Sequence, residues 1–267
     1  EPDQTAINGY NQGNITITKD EVLDVDYDVY VSGIAYKHEN TNYNLVNNID
    51  YQSIEITKTN GPLDNMLNAG DISISGNFNG HIRATGITLF NYGLLTNAIN
   101  LGSISIVNDI VTPNLEIEAS GITYLMIGKY ASIKDAANNG DIKVVSNTAS
   151  GFSHASGLVL RNDRRENSTD INASDEHQFV KIMFSANYGD VYAYNNNDES
   201  AFTITNETRS KASGILAIGL LSPVNNVNLG NVYSNHLASA MIGFIYLNKF
   251  GTLGYDQVFS KKIVLNP

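Results

Sequence analysis

The chain has 267 residues, a formal charge of −11 at pH 7 and no cysteine. The acidic balance argues against a nucleic-acid partner, because the counterion release behind such binding needs clustered lysine and arginine. The missing cysteines exclude disulfide bonds and thiolate metal sites. The longest apolar run, Leu237 to Leu247, is about half as long as a membrane-spanning helix, so no membrane span is expected.

The main feature of the chain is the tripeptide Asn-x-Gly, which recurs six times. A β-branched residue stands two positions after each glycine, and a mostly apolar residue follows two positions later, which is the period of a strand with one buried face. Five residues before each glycine, five of the six copies have Asn or Asp. The six pairs are Asn11 and Gly13, Asn68 and Gly70, Asn100 and Gly102, Asn138 and Gly140, Asn187 and Gly189, and Asn228 and Gly230.

A second motif, Ser or Thr followed by Gly and then Ile or Leu, lies between copies of the first. It occupies residues 32–34, 85–87, 120–122, 156–158 and 213–215. The short distances between the two motifs cluster at 16 to 20 residues, so each repeat is expected to contain two strand-bearing arcs. Repeats of this kind stack on one another. The sequence therefore predicts an all-β fold, a parallel β-helix or β-solenoid of degenerate Asn-x-Gly repeats.

Each Asn-x-Gly is interpreted as a tight turn that starts a strand. The glycine is expected to take the positive φ of such a turn, and asparagine tolerates the left-handed region. Asparagine side chains stacked in successive repeats are also expected to donate their amides to neighbouring carbonyl oxygens along a ladder. The twelve Asn and Gly residues named above are thus predicted to be structural.

A single domain is predicted for residues 1–267, with repeats over about 8–235 and a last rung or cap over about 236–267. Long spacings predict polar loop insertions at 36–62, 161–177 and 194–208. The middle insertion is a candidate ligand loop, and its relevant side chains are Arg161, Arg164, Arg165 and His177. Because the first residue is Glu1 rather than Met, the chain is expected to be a piece of a longer protein.

The segment from Val22 to Val31 alternates Asp24, Asp26 and Asp28 with apolar residues. This spacing resembles the start of a calcium loop, but an EF-hand needs a glycine and an acid where Val29 and Ala35 stand. The favoured interpretation is a strand with an acidic solvent face that prevents edge-to-edge pairing. Calcium binding at these three aspartates stays open.

No motif of a zinc protease, a serine hydrolase or a nucleotide-binding loop is present, so no catalytic residue, metal or cofactor is predicted. Asp71, Asp141 and Asp190 follow the turn glycine and are the candidates for a carbohydrate-active β-helix, a polysaccharide lyase or glycosidase. Other copies have Asn or Ser at this position, as a turn permits, so a structural role is favoured. Ser153, His154 and Ser156 are likewise interpreted as structural.

Residues 119–142, with Ser-Gly-Ile followed by ASIKDAANNGDI, resemble the GLUG-type repeat of bacterial surface proteins. Such repeats occur in non-catalytic regions of Gram-positive immunoglobulin A1 metallopeptidases and in adhesins. The resemblance implies a secreted protein at the bacterial cell wall, in which this chain is a non-catalytic stalk, spacer or recognition module. Its expected partners are flanking domains and a host protein or glycan. A carbohydrate-active β-helix is the alternative.

Overall fold

The computed structural model describes residues 6–20, 27–38, 63–110, 115–127, 131–147, 151–163, 181–196, 210–219, 222–245, 257–258 and 263–265. Every regular element in these residues is a β-strand, and the strands form five parallel sheets. The predicted parallel β-solenoid is therefore confirmed. No helix in the described part of the chain is long and apolar enough to span a membrane.

The chain winds through six coils of five strands each and adds two strands of a seventh coil. Coil 1 contains β1 (Ala6–Ile7), β2 (Tyr10–Asn11), β3 (Ile15–Lys19), β4 (Val29–Ser32) and β5 (Ala35–His38). Coil 2 contains β6 (Leu63–Asp64), β7 (Leu67–Asn68), β8 (Ile72–Gly76), β9 (Ile82–Thr85) and β10 (Thr88–Asn91). Coil 3 contains β11 (Leu94–Thr96), β12 (Ile99–Asn100), β13 (Ile104–Asn108), β14 (Glu116–Ser120) and β15 (Thr123–Ile127).

The later coils repeat the same order. Coil 4 contains β16 (Ser132–Lys134), β17 (Ala137–Asn138), β18 (Ile142–Ser146), β19 (Phe152–Ser156) and β20 (Val159–Asp163). Coil 5 contains β21 (Lys181–Met183), β22 (Ala186–Asn187), β23 (Val191–Asn195), β24 (Ser210–Ser213) and β25 (Leu216–Gly219). Coil 6 contains β26 (Ser222–Val224), β27 (Val227–Asn228), β28 (Val232–Ser234), β29 (Leu237–Ser239) and β30 (Ile242–Ile245). Coil 7 adds β31 (Gln257–Val258) and β32 (Ile263–Leu265).

Each of the six complete coils contributes one strand to each of sheets 1 to 5, which are numbered in the order that the chain visits them, and coil 7 adds a strand to sheets 2 and 3. Each repeat thus has five short strands rather than two arcs. Every Asn-x-Gly connects sheet 2 to sheet 3, and every copy of the second motif connects sheet 4 to sheet 5. The copies pair in register, as in Asn100 with Asn138 and Ile104 with Ile142.

The core follows from the period of two in sheet 3. Ile142 and Val144 face inward and are fully buried, and the equivalent side chains of the other coils stack above and below them. Sheet 4 supplies the facing side chains, such as Ile117 and Ala119. Burying one isoleucine or valine stabilises the fold by about 1.5–3 kcal/mol, so these columns hold the coils together.

The left-handed residue of the repeat is not the turn glycine. Positive φ values of 50° to 65° occur five positions before that glycine, at Asn8, Asn65, Asn97, Asp135, Phe184 and Asn225. None of the six turn glycines has a positive φ, so the expected glycine conformation is wrong. Glycine is needed for a different reason: a Cβ on Gly102 would collide with the carbonyl oxygen of Gly70 in the coil below.

Strand boundaries also correct the predicted insertions. Arg161 belongs to β20, which continues to Asp163, so the middle insertion begins after the position expected. β4 begins at Val29, and Tyr27 is exposed rather than on a buried apolar face. Residues 39–62, 164–180 and 197–209 lie outside the described residues.

Candidate functional site

A group of ionisable side chains lies between the outer faces of sheets 4 and 5. We call it the charged corner, and it consists of Arg83, Glu116, Glu118, Tyr124, His154, Arg161 and Lys211.

The strand period places the charged corner outside the core. Because Ile117 and Ala119 face inward, Glu118 between them faces outward. Parallel register then aligns one residue per coil along sheet 4, in the order Tyr30, Arg83, Glu118, His154, Lys211 and Leu237.

The outer faces of the two sheets meet at a concave corner. Sheet 5 contributes a small apolar cluster that includes Leu89, Tyr124 and Leu160. The Arg83 guanidinium lies 5.2 Å from the ring centroid of Tyr124, across the corner. Side chains of both sheets therefore enclose Glu118, which is 0% exposed although it faces away from the core.

Both carboxylate oxygens of Glu118 accept hydrogen bonds. Oε2 accepts from Nε of Arg83 at 3.2 Å, and Oε1 accepts from Nε of Arg161 at 2.9 Å. Nδ1 of His154 lies 3.3 Å from Oε1. Arg83 uses its Nη2 for Glu116 and its Nη1 for the Tyr30 hydroxyl, at 3.0 Å. One carboxylate thus connects three coils and both sheets.

The pKa of Glu118 lies well below its ordinary value. Burial by itself raises that pKa, but the positive charge of Arg161, the hydrogen bond from His154 and the charge of Arg83 together outweigh it. The carboxylate therefore stays ionised at neutral pH. A general acid needs a pKa near the working pH, so Glu118 is poorly suited to proton donation.

The pKa values of the two basic groups that follow Glu118 along sheet 4 are lowered as well, which in a base favours the neutral form. Burial lowers the pKa of His154, and the charge of Lys211 adds to this effect against an opposing hydrogen bond with Glu118. Burial and the charge of Arg161 lower the pKa of Lys211 to about 7. His154 is accordingly neutral at pH 7, and Lys211 changes between its charged and neutral forms near that pH.

Aromatic rings extend the corner toward coil 1. Tyr36 and Phe90 meet edge to face with centroids 5.5 Å apart, and Phe90 meets Tyr124 in the same way at 5.9 Å. The Arg83 guanidinium lies 5.5 Å from the ring centroid of Tyr30. Arginine and aromatic rings attract each other in this arrangement, so the rings contribute to holding the charged groups in place.

The six repeat asparagines lie inside the solenoid and form the asparagine ladder: Asn11, Asn68, Asn100, Asn138, Asn187 and Asn228. Each Nδ2 of the first five donates to Oδ1 of the next at 2.7 to 2.8 Å. Each Nδ2 also donates to the carbonyl oxygen of its own turn glycine, at 2.8 to 3.0 Å. The glycines of the second motif lie against the ladder. A Cβ on Gly86, for example, would collide with the side chain of Asn100.

The aspartates that follow the turn glycines make structural contacts. Oδ1 of Asp71 accepts the backbone N–H of Ser103 in the next coil at 2.8 Å, and Oδ1 of Asp141 accepts that of Asp190 at the same distance. Asn14 accepts the N–H of Asp71 at 2.9 Å. Both Asp and Asn offer the required oxygen, which explains why they replace one another here.

Of the other predicted site residues, some lie in the charged corner and some lie outside the described residues. Arg161 contributes to the charged corner, whereas Arg164, Arg165 and His177 lie outside the described residues, as do Asp24 and Asp26. Oδ1 of Asp28 accepts the backbone N–H of His81 at 2.9 Å. Within the described ranges, no three His, Cys, Asp or Glu side chains are grouped to hold a metal ion.

The sequence reasoning missed Arg83, Glu118, Tyr124 and Lys211. A signal was present, because the sheet 4 residues stand two positions before the Ser or Thr of the second motif in each copy. Aligning these positions gives Tyr30, Arg83, Glu118, His154 and Lys211, a column of polar residues in which positive and negative charges meet.

No family model, curated protein or solved structure matches the chain. The resemblance to GLUG-type repeats therefore rests on the motif at residues 119–142.

Proposed function

We propose that this chain is a non-catalytic stalk or spacer module of an exported bacterial surface protein, which holds neighbouring parts of that protein at a fixed separation. The observation that carries the proposal is the asparagine ladder. It runs without interruption through all six complete coils.

The ladder and the backbone hydrogen bonds act along the same axis. Sheets 2 and 3 each contain seven strands, so six spacings of about 4.8 Å give an axial length of about 29 Å. Bending the coils apart breaks backbone and side-chain hydrogen bonds together. A stack of this kind resists bending, as a spacer requires.

The carboxylates also support a non-catalytic role. Glu118 is ionised and is used by Arg83, Arg161 and His154. Asp71 and Asp141 each use one oxygen to bind the next coil. These groups join strands to one another, which is a contribution to stability.

A distance measurement tests the spacer role. The chain has no cysteine, so Gln12→Cys in coil 1 and Leu229→Cys in coil 6 give two unique attachment sites for spin labels. Five coil spacings predict a single narrow distance distribution between the labelled backbones, centred at about 24 Å. A broad distribution in the folded protein would contradict a stiff spacer.

An activity screen tests the non-catalytic role against the carbohydrate-active alternative. The purified chain is incubated with acidic and neutral polysaccharides, with and without calcium, and no product is expected. Product formation that disappears in Asp141→Asn or Asp190→Asn would overturn the proposal. These variants keep the accepting oxygen, as Asn14 does in coil 1, so a loss of activity is separable from a loss of folding.

A further inference from the structure

The outer face of sheet 2 carries apolar side chains in every complete coil. In each strand the asparagine of the ladder faces inward, so the residue before it faces outward. These outward residues pair in register, and they are Tyr10, Leu67, Ile99, Ala137, Ala186 and Val227. With the residues two positions to either side, they form what we call the apolar face, over 8–12, 65–69, 97–101, 135–139, 184–188 and 225–229. Its column on the N-terminal side is apolar at Phe184 and is Asn or Asp in the other five coils.

Large side chains on this face are open to solvent. Tyr10, Ile99, Leu101, Phe184 and Tyr188 are between 37% and 56% exposed. On the outer face of sheet 3 the equivalent column is polar over its first four coils, which have Thr16, Ser73, Ser105 and Lys143, and it becomes aromatic at Tyr192 and Tyr233. The solenoid therefore does not require apolar residues on its outside, and contiguous exposed apolar surface commonly marks an interaction site.

Phe184 provides a second, independent observation. Its φ is 50°, in the left-handed region, where the other five copies have Asn or Asp. Bulky side chains are outliers in this region, and such strain is a reason to look for a function. Phe184 is about half exposed, so packing within the chain offsets little of this strain. An exposed aromatic ring at a strained position therefore favours a role in binding over a role in folding.

The size of the face argues against a second copy of this chain. Five coil spacings and four residue spacings give about 24 Å by about 13 Å, or roughly 300 Å² between Cα positions. A stable protein dimer buries about 800 Å² on each partner. The formal charge of −11 on every copy also opposes self-association.

The charge around the face indicates the partner. Residues 64–71, 134–141 and 183–190 cross the face and include its borders. They contain Asp64, Asp71, Asp135, Asp141 and Asp190 but a single basic residue, Lys134. Asp64 stands on one side of the face and Asp71, Asp141 and Asp190 on the other, whereas Asp135 lies within the face and pairs with Lys134 at 3.7 Å. A complementary partner has an apolar stripe flanked on both sides by positive charge.

We propose that the apolar face is the docking site for an amphipathic helix with basic flanks, supplied by another protein. Helices bury an apolar stripe by packing on sheet faces. A helix that lies along the solenoid axis needs about 16 residues to cover about 24 Å. Its apolar stripe lies over Ile99, Leu101 and Phe184. Its lysines or arginines reach Asp64 on one side of the face and Asp71, Asp141 and Asp190 on the other. This proposal is independent of the spacer role.

The experiment uses a 16-residue peptide of leucine and lysine with leucines at helical spacing, and a scrambled peptide of the same composition. Binding to the full chain is measured by fluorescence anisotropy at low ionic strength. The peptide with leucines at helical spacing is expected to bind the chain. The scrambled peptide is expected to bind at least tenfold more weakly. The variant Ile99→Asn/Leu101→Asn is expected to weaken binding of the first peptide at least tenfold.

The matched control is Val107→Asn/Val145→Asn, which makes the same kind of change on the outer face of sheet 3, and it is expected to leave binding unchanged. Phe184→Asn is expected to weaken binding while raising the urea midpoint of unfolding. Asp141→Asn/Asp190→Asn is expected to reduce the salt dependence of binding.

Three results would overturn the proposal. They are equal binding of both peptides, no binding at millimolar peptide, or binding that survives Ile99→Asn/Leu101→Asn. Retention on insoluble chitin or cellulose that is lost in this variant, without peptide binding, would assign the face to a glycan instead. The label distances that test the spacer role are unaffected by any of these outcomes.

Discussion

The asparagine ladder and the charged corner both bury polar side chains in successive coils, one inside sheet 2 and the other outside sheets 4 and 5. The ladder uses the same residue in all six complete coils, and each amide bonds to the next at 2.7 to 2.8 Å. The corner uses a different residue in each coil, with Arg83, Glu118 and His154 in consecutive positions.

The difference follows from hydrogen-bonding chemistry. An amide has both a donor and an acceptor, so identical side chains satisfy one another in a column of any length. The same charged residue is unfavourable at one position in successive coils, because like charges on directly opposite residues of neighbouring strands are destabilising. The corner consequently places Glu118 next to Arg83 and a neutral His154. A neutral polar residue can thus recur at the same position in every coil, whereas a buried charged residue needs a specific partner in the neighbouring coil.

Removing the central charge of the corner is expected to have the largest effect. Glu118→Ala leaves Arg83 and Arg161 without their shared carboxylate, and breaking a buried ion pair in this way costs about 3–5 kcal/mol of unfolding free energy. Urea unfolding measures the loss. Glu116→Ala is the control, because the Glu116 side chain is partly exposed and its carboxylate pairs with Arg83. Its cost is expected to be about 1 kcal/mol or less. Equal losses in the two variants would contradict the central role of Glu118.

Interrupting the ladder is expected to have a somewhat smaller effect. Asn138→Ala removes the acceptor of Asn100 and the donor to Asn187 and Gly140. Buried groups left without a partner cost about 1–3 kcal/mol each, and local rearrangement relieves part of this, so a loss of about 2–4 kcal/mol is expected by urea unfolding. Asn11→Ala, at the more exposed first rung, is the control and is expected to cost about 1 kcal/mol. An unchanged free energy of unfolding in Asn138→Ala would mean that backbone hydrogen bonds alone hold the coils together.

Titrating Lys211 is expected to have the smallest effect. Its pKa falls from 10.5 in the unfolded chain to about 7 in the folded protein. Between these values the unfolded chain binds more protons, so stability rises with pH. The Lys211 contribution from pH 7 to pH 9 is expected to be about 2 kcal/mol, since one proton changes the free energy by about 1.4 kcal/mol per pH unit.

The measurement compares urea unfolding of the natural chain with that of Lys211→Met at both pH values. The difference between the two proteins isolates Lys211 from the other groups that titrate in this range. A difference that does not change with pH would show that Lys211 is not held in its neutral form.

Sequence reasoning reached the solenoid because its main interactions repeat. The β-branched residue two positions after each turn glycine predicts the buried column that contains Ile142, and the structure confirms it. The same reasoning misplaced the left-handed residue, because a glycine in a turn suggests positive φ. In the structure, Gly102 is instead required by its contact with the coil below.

By itself, the sequence determined the parallel solenoid, the positions of the ladder and the inward face of sheet 3, because each depends on a residue that returns at the same place in every coil. Only the tertiary structure decided that sheets 4 and 5 meet at a concave corner and that Arg161 reaches Glu118 there. The cause is geometric: these side chains are 43 residues apart in the chain. They meet because sheets 4 and 5 are inclined toward each other. No repeated residue in the sequence indicates the angle between these two sheets.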